Sequence, residues 1–261
     1  MLGDKLRFRF SKTGVLRLLS HHDLMRCFER MLRRADVPFK STAGFHPSPR
    51  IVFALSLPLG VEGRDEAVEI EFTQECESED VLTRLNAQAP EGLAFASVAV
   101  VPMKTTALPR RIVYLMPLPP DRVDDAAEAC AELMRAQRVW VDRFKPNPKQ
   151  LNIRPYFRLF SVSDGVLSLD LWVTQTGTAR ADELLRLLNL SDLLDDGALM
   201  SRAVVELRDE TPLADPADQP PDGPAESMPL DPAAVGAANR DDDKTSAAAQ
   251  WGSTLSGPVV E

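Results

Sequence analysis

Two of the three histidines of this chain are adjacent, in the segment Ser20-His21-His22-Asp23. Imidazoles serve as general acids and bases near neutral pH, so His21 or His22 could move a proton in a metal-independent RNA cleavage, with Lys12 steadying transition-state charge. The same segment reads as a helix start. Ser20 is placed to cap, and Asp23 follows three residues on, a capping-box arrangement with Asp in place of the usual Glu. A helix N-terminus offers free N–H groups and partial positive charge to phosphate. With Lys12 and Arg17 before it and Arg26, Arg30, Arg33 and Arg34 after it, the segment predicts a phosphate-tracking surface. The plainer alternative is that Ser20 and Asp23 only cap and that the arginines form a solvated face.

A second set is Gly44-Phe45-His46-Pro47-Ser48-Pro49-Arg50. Phe45 and His46 could stack on a base and Arg50 could meet a phosphate. A single aromatic is more often packing, and Phe45 taken alone reads as a plug for the core beneath a rigid loop. A third set places Arg138, Arg143, Lys145, Lys149, Arg154 and Arg158 among Pro146, Pro148, Pro155, Tyr156 and Phe157. Basic residues interleaved with aromatics suit a single-stranded nucleic-acid groove, and equally an exposed connection leading into a strand.

Other chemistry has less support. Adjacent histidines on a helix diverge, no HExxH is present, and Cys27, Cys76 and Cys130 are about fifty residues apart, so no metal site is expected. The chain has no Walker A, GxSxG or strand-following GxGxxG motif, and no cofactor or catalytic residue is assigned.

These residues depend on the elements that hold them. Residues 5–10 alternate apolar with basic, predicting a strand with one buried and one solvated face. Leu24, Cys27, Phe28, Met31, Leu32 and Ala35 recur at helical spacing, with the arginines facing away and Pro38 ending the helix. Strands are predicted over 51–57, 67–72 and 95–101, and a helix over 78–87 capped by Ser78. The order then repeats: a strand over 111–116, a helix over 121–138 with Asp124 and Asp125 in its acidic first turn, and strands over 156–163 and 166–173 joined by Asp164-Gly165. A helix from Thr178 to Leu190 and a strand over 202–208 follow. The expected fold class is therefore α+β, two ferredoxin-like βαββαβ halves with antiparallel sheets, spanning 1–103 and 110–210. The acidic, Pro/Ala-rich stretch 211–261 is expected to be a disordered tail.

The net charge of −9 hides this division. Residues 212–261 hold nine acidic and two basic residues, whereas residues 1–60 hold eleven basic and four acidic ones. An acidic chain thus carries a +7 segment. With no apolar run long enough to span a bilayer, sparse odd cysteines and no secretory leader, composition predicts a soluble cytoplasmic protein without membrane contact.

The blocks Arg7-Phe8-Arg9-Phe10-Ser11-Lys12-Thr13-Gly14, Leu19-Ser20-His21-His22-Asp23-Leu24-Met25-Arg26, Arg33-Arg34-Ala35-Asp36-Val37-Pro38, the Gly44 to Arg50 set and Leu57-Pro58-Leu59-Gly60 resemble the radical-SAM-linked family, a bacterial domain of unknown function. The resemblance spans about residues 1–208. Lys12, Gly14, Ser20, His21, Asp23, Arg26, Gly44, Phe45, Pro47 and Pro49 match its motifs. Its members resemble stand-alone proteins encoded beside a radical SAM enzyme, or the C-terminal portion of one. This chain has no cluster-binding cysteines, which implies the separate-subunit form. The resemblance therefore implies a non-catalytic accessory protein whose partner is a radical SAM enzyme, and the basic segment adds a possible RNA substrate in tRNA or rRNA modification. The alternatives are the ribonuclease at His21 or His22, or another small-molecule enzyme there, and a scaffold whose basic face meets an acidic surface of the partner.

Overall fold

A computed structural model describes residues 3–144, 147–210, 219–221 and 223–230. The first half runs β1 (Lys5–Lys12), α1 (His21–Arg34), β2 (Ile51–Phe53), β3 (Glu62–Glu71), α2 (Ser78–Gln88) and β4 (Leu93–Val101). The second runs β5 (Pro109–Pro117), α3 (Val123–Arg135), a hairpin of β6 (Trp140–Arg143) and β7 (Lys149–Asn152), then β8 (Phe157–Ser163), β9 (Val166–Trp172), α4 (Ala181–Leu187), α5 (Ser191–Asp195) and β10 (Ser201–Leu207). A last short strand is β11 (Ser227–Pro229).

The fold is α+β with antiparallel-rich sheets. In each half the strands lie in the order fourth, first, third, second: β4-β1-β3-β2 and β10-β5-β9-β8. The two sheets merge into one of eight strands because β3 is long enough to serve two neighbours on one edge. Its C-terminal part pairs antiparallel with β2, Phe53 facing Val68, and its start pairs parallel with β10, Ser201 facing Glu62.

Alternation in β1 sends Leu6, Phe8 and Phe10 to one face, where they meet Leu24, Phe28, Met31 and Leu32 of α1 and Val81 and Leu85 of α2. Ile112, Tyr114 and Met116 of β5 anchor a second core with Ala126, Cys130, Leu184 and Leu185. At the Asp164-Gly165 turn both residues have positive φ, 53° and 73°, which suits the twist of the hairpin joining β8 and β9.

The other face of β1 departs from expectation, since Lys5 and Arg7 are buried rather than solvated. The chain leaving β10 turns over them. Arg7 pairs with Glu69, Asp209 and Glu210, at 2.7, 2.7 and 2.9 Å. Lys5 pairs with Glu69 at 2.7 Å and donates to the Thr105 carbonyl in the connection between the halves.

Two expected caps differ as well. Ser78 is inside α2, with Glu77 at the cap and no side-chain cap bond. Thr178 instead donates to the Trp172 carbonyl (2.8 Å), and α4 starts three residues later, capped by Glu183 reaching back to the Arg180 N–H (2.9 Å). The third basic set contributes β6 and β7, which join β11 in a separate three-stranded sheet. Most of the expected tail falls outside the described residues. Within it, β11 pairs with β7, and Leu230 beyond it is buried. No helix among the described residues is long and apolar enough to cross a membrane.

Candidate functional site

Helix α1 begins as its sequence dictates. The Ser20 side chain accepts from the Asp23 N–H (3.2 Å) and its hydroxyl donates to the Asp23 carboxylate (2.7 Å), so the box closes through the side chain instead of the Ser20 backbone. Asp36, just past the helix, takes positive φ (50°) and turns the chain away. Fourteen residues give α1 a length of about 20 Å.

Asp23, Arg26, Arg30, Arg33 and Arg34 are spaced three and four apart, and all are exposed on the side away from the core. Arg26 lies 3.6 Å from Asp23 and Arg33 lies 2.9 Å from Glu29. Arg30 and Arg34 make no hydrogen bond or ion pair to another described residue. Two guanidinium groups therefore stand in solvent with their donors available.

Beyond α1, residues 41–49 form a finger. Its base is paired, Ser41 bridging Pro49 and the Arg50 N–H donating to the Lys40 carbonyl (2.8 Å). Its shaft is braced by the Thr42 N–H on the Ser48 carbonyl (2.8 Å) and the Ser48 N–H on the Thr42 hydroxyl (3.1 Å). Gly44 takes φ of 137° in open space, so backbone conformation rather than crowding calls for glycine there. At the tip Phe45 is 102% exposed, with His46 exposed beside it. The core-plug reading of Phe45 is thus overturned: the braced finger carries the ring away from both cores. Leaving a Phe side chain in water forgoes roughly 1.5–3 kcal/mol of burial, which makes the placement noteworthy. Arg33 sits 5.6 Å over the Phe39 ring, and Phe39 leads into the finger, so the C-terminal end of the stripe adjoins the finger's base. There Lys40 and Arg50 share Glu71, at 3.1 and 3.4 Å.

The remaining expected residues lie elsewhere. Lys12 is not on the surface. At 1% exposure its ammonium donates to the Leu19 carbonyl (2.9 Å), and burial holds it below the usual lysine range, against the opposing pull of Glu66. Lys12 continues the alternation of Leu6, Phe8 and Phe10 and so lies on the inward face of β1. Arg17 is half-buried and donates to the Gly14 carbonyl (3.0 Å). His21 is exposed at the N-terminal end of α1, its ring edge-on to Phe53 at 5.4 Å and 6.2 Å from that of His22. His21 and His22 therefore stand at the opposite end of α1 from the finger. Sequence reasoning missed Lys40 and Thr42, and included Ser48 in the second set without a role. The pairing of two hydroxyl residues around a Gly/Pro core was the available signal for a braced turn.

Three arginines of the third basic set are matched internally, whereas the Lys149 side chain is exposed with no partner among the described residues. Arg143 grips the buried Glu183 with two bonds of 2.7 and 2.8 Å, Arg154 donates to the Ala136 and Met134 carbonyls, and Arg158 pairs with Asp170 at 2.6 Å. Tyr156 and Phe157 are buried, Arg138 pairs with Glu226, and Lys145 lies outside the described residues. Among the described residues no three His, Cys, Asp or Glu side chains gather where they could hold a metal ion.

Residues 5–183 match the model of a family described as an uncharacterized protein conserved in bacteria, DUF2344. This chain belongs to that family. The match takes in α1, the finger, the first core and much of the second, so the DUF2344 region contains the whole stripe. No curated protein matches the sequence.

Among solved structures, an unknown protein from Galdieria sulphuraria is 10% identical, covering 78% of this chain and 98% of that one at a TM-score of 0.24. A putative glycine cleavage system transcriptional repressor is 12% identical, covering 77% and 96% at 0.22. An anthrone oxidase-like protein is 12% identical, covering 71% and 78% at 0.20. Similarity at this level carries no argument about this DUF2344 member.

Proposed function

We propose that this protein is a non-catalytic accessory protein that binds RNA and presents it to a radical SAM enzyme. The observation that carries the RNA part is the pair Arg30 and Arg34, exposed on the outer side of α1 without an acceptor among the described residues. Guanidinium groups held for stability are matched to carboxylates or carbonyls, as Arg143 and Arg154 are. A row of unmatched ones suits successive phosphates, which guanidinium binds by charge-assisted, often bidentate, hydrogen bonds. The resemblance to the radical-SAM-linked family supports the identity of the partner.

Purified full-length protein is expected to bind tRNA or ribosomal RNA with an affinity that falls steeply with salt, and to bring a radical SAM enzyme with it from cell extract. Absence of salt-dependent binding to both RNAs removes the RNA reading. A partner complex that survives nuclease treatment alongside that absence supports the scaffold instead. The ribonuclease reading has lost Lys12 to the interior, and it stands only if the isolated protein cleaves RNA in a manner abolished by His21→Ala.

A further inference from the structure

We infer that the finger tip, Phe45 with His46, captures an unpaired nucleobase, so that the protein selects RNA carrying a loop, bulge or free end over continuous duplex. The inference rests on the RNA reading above and deepens it. Phe45 is the one exposed Phe, Tyr or Trp side chain among the described residues. It is held out by a shaft with its own hydrogen bonds, and Pro47 and Pro49 fix two φ angles in that shaft. A ring presented this way has its stacking faces free, and the loop is already ordered, so little conformational freedom is lost when something stacks on it.

The position of the finger determines what that partner is. The arginine stripe of α1 ends at its base, where Arg33 covers Phe39 and Lys40 and Arg50 share one carboxylate. A strand whose phosphates follow Arg26, Arg30 and Arg34 reaches the finger at its next nucleotides. In a continuous A-form duplex each base is already stacked on both neighbours, and the deep major groove does not admit side chains. The ring then finds no free face. An unpaired base offers one, together with edges that the exposed imidazole of His46 can hydrogen-bond.

The test compares two fluorescein-labelled RNAs with equal numbers of phosphates, a hairpin with an open loop and a continuous duplex, titrated with full-length protein by fluorescence anisotropy. The wild type is expected to prefer the hairpin. Phe45→Ala is expected to bring the hairpin affinity down to that of the duplex, a loss of roughly 5- to 150-fold from one stacked base. Phe45→Trp is expected to keep the preference, which separates stacking from a steric role. Wild-type protein that binds both RNAs equally overturns the inference and leaves the RNA reading standing, whereas no salt-dependent binding to either RNA removes that reading. If Phe45→Ala leaves the hairpin preference intact but releases a co-purifying protein, the finger is a protein contact and the inference fails.

Discussion

In residues 138–158 three arginines, Arg143, Arg154 and Arg158, are matched inside the molecule, while Arg138 and Lys149 stay exposed. Arg143 closes on a carboxylate that is 1% exposed, Arg154 satisfies two carbonyls at the end of α3, and the two aromatics are packed away. In residues 26–50, built from the same residue types, Arg30 and Arg34 meet no acceptor among the described residues and Phe45 projects fully into solvent. Composition does not separate these stretches. What separates them is the presence of acceptors contributed from distant parts of the chain, such as Glu183 and Asp170. Arg7 sharpens the point, because it belongs to the basic first sixty residues and yet is buried among Glu69, Asp209 and Glu210.

The largest effect that tests this contrast is on stability. Arg143→Ala leaves Glu183 buried without its main partner and is expected to cost about 3–5 kcal/mol, read as a lower urea midpoint. A cost near zero would mean that the 138–158 arginines are as dispensable to the fold as those of the stripe. A smaller effect is expected at the start of α1. Ser20→Ala removes a cap and should cost about 1 kcal/mol, and a loss several times larger would give the N-terminus of α1 a structural weight that capping does not explain.

The smallest effect concerns pH. Hydrogen bonds from Arg7 hold the Asp209 carboxyl below the usual carboxylate range. On acidification the unfolded chain takes up this proton first, so the stabilisation is complete above the ordinary Asp value of about 3.9 and is lost as pH falls through the lowered native value. Urea midpoints should decline less steeply on acidification in Asp209→Asn than in the wild type. Identical slopes would show that Arg7 is not committed to this carboxylate.

Local periodicity made much of the fold legible. The alternation of Leu6, Phe8 and Phe10, the stripe from Leu24 to Leu32, the Ser20 cap and the Asp164-Gly165 turn each act through neighbours a few residues away, and each is found where its spacing placed it. Features that rest on long-range pairing were not legible. Glu69, Asp209 and Glu66 are acceptors for Arg7 and Arg202 across 62, 202 and 136 residues of chain, and nothing local marks them. The return of β11 onto β7 is of the same kind. For the candidate site, the arginine stripe followed from helical spacing, whereas the exposure of Phe45 needed the finger's own hydrogen bonds, which single-residue statistics do not contain.

The most direct measurement compares salt dependence in two double variants of the full-length protein binding one tRNA. Arg30→Ala/Arg34→Ala removes two exposed charges from the stripe, and Arg138→Ala/Lys149→Ala removes two from the other basic region. Each phosphate contact contributes about 0.7–0.9 to the slope of log affinity against log salt, so the first variant should lose roughly 1.5 from the wild-type slope and the second should lose nothing. Equal losses in the two variants, or none in the first, would contradict the assignment of RNA to the stripe of α1.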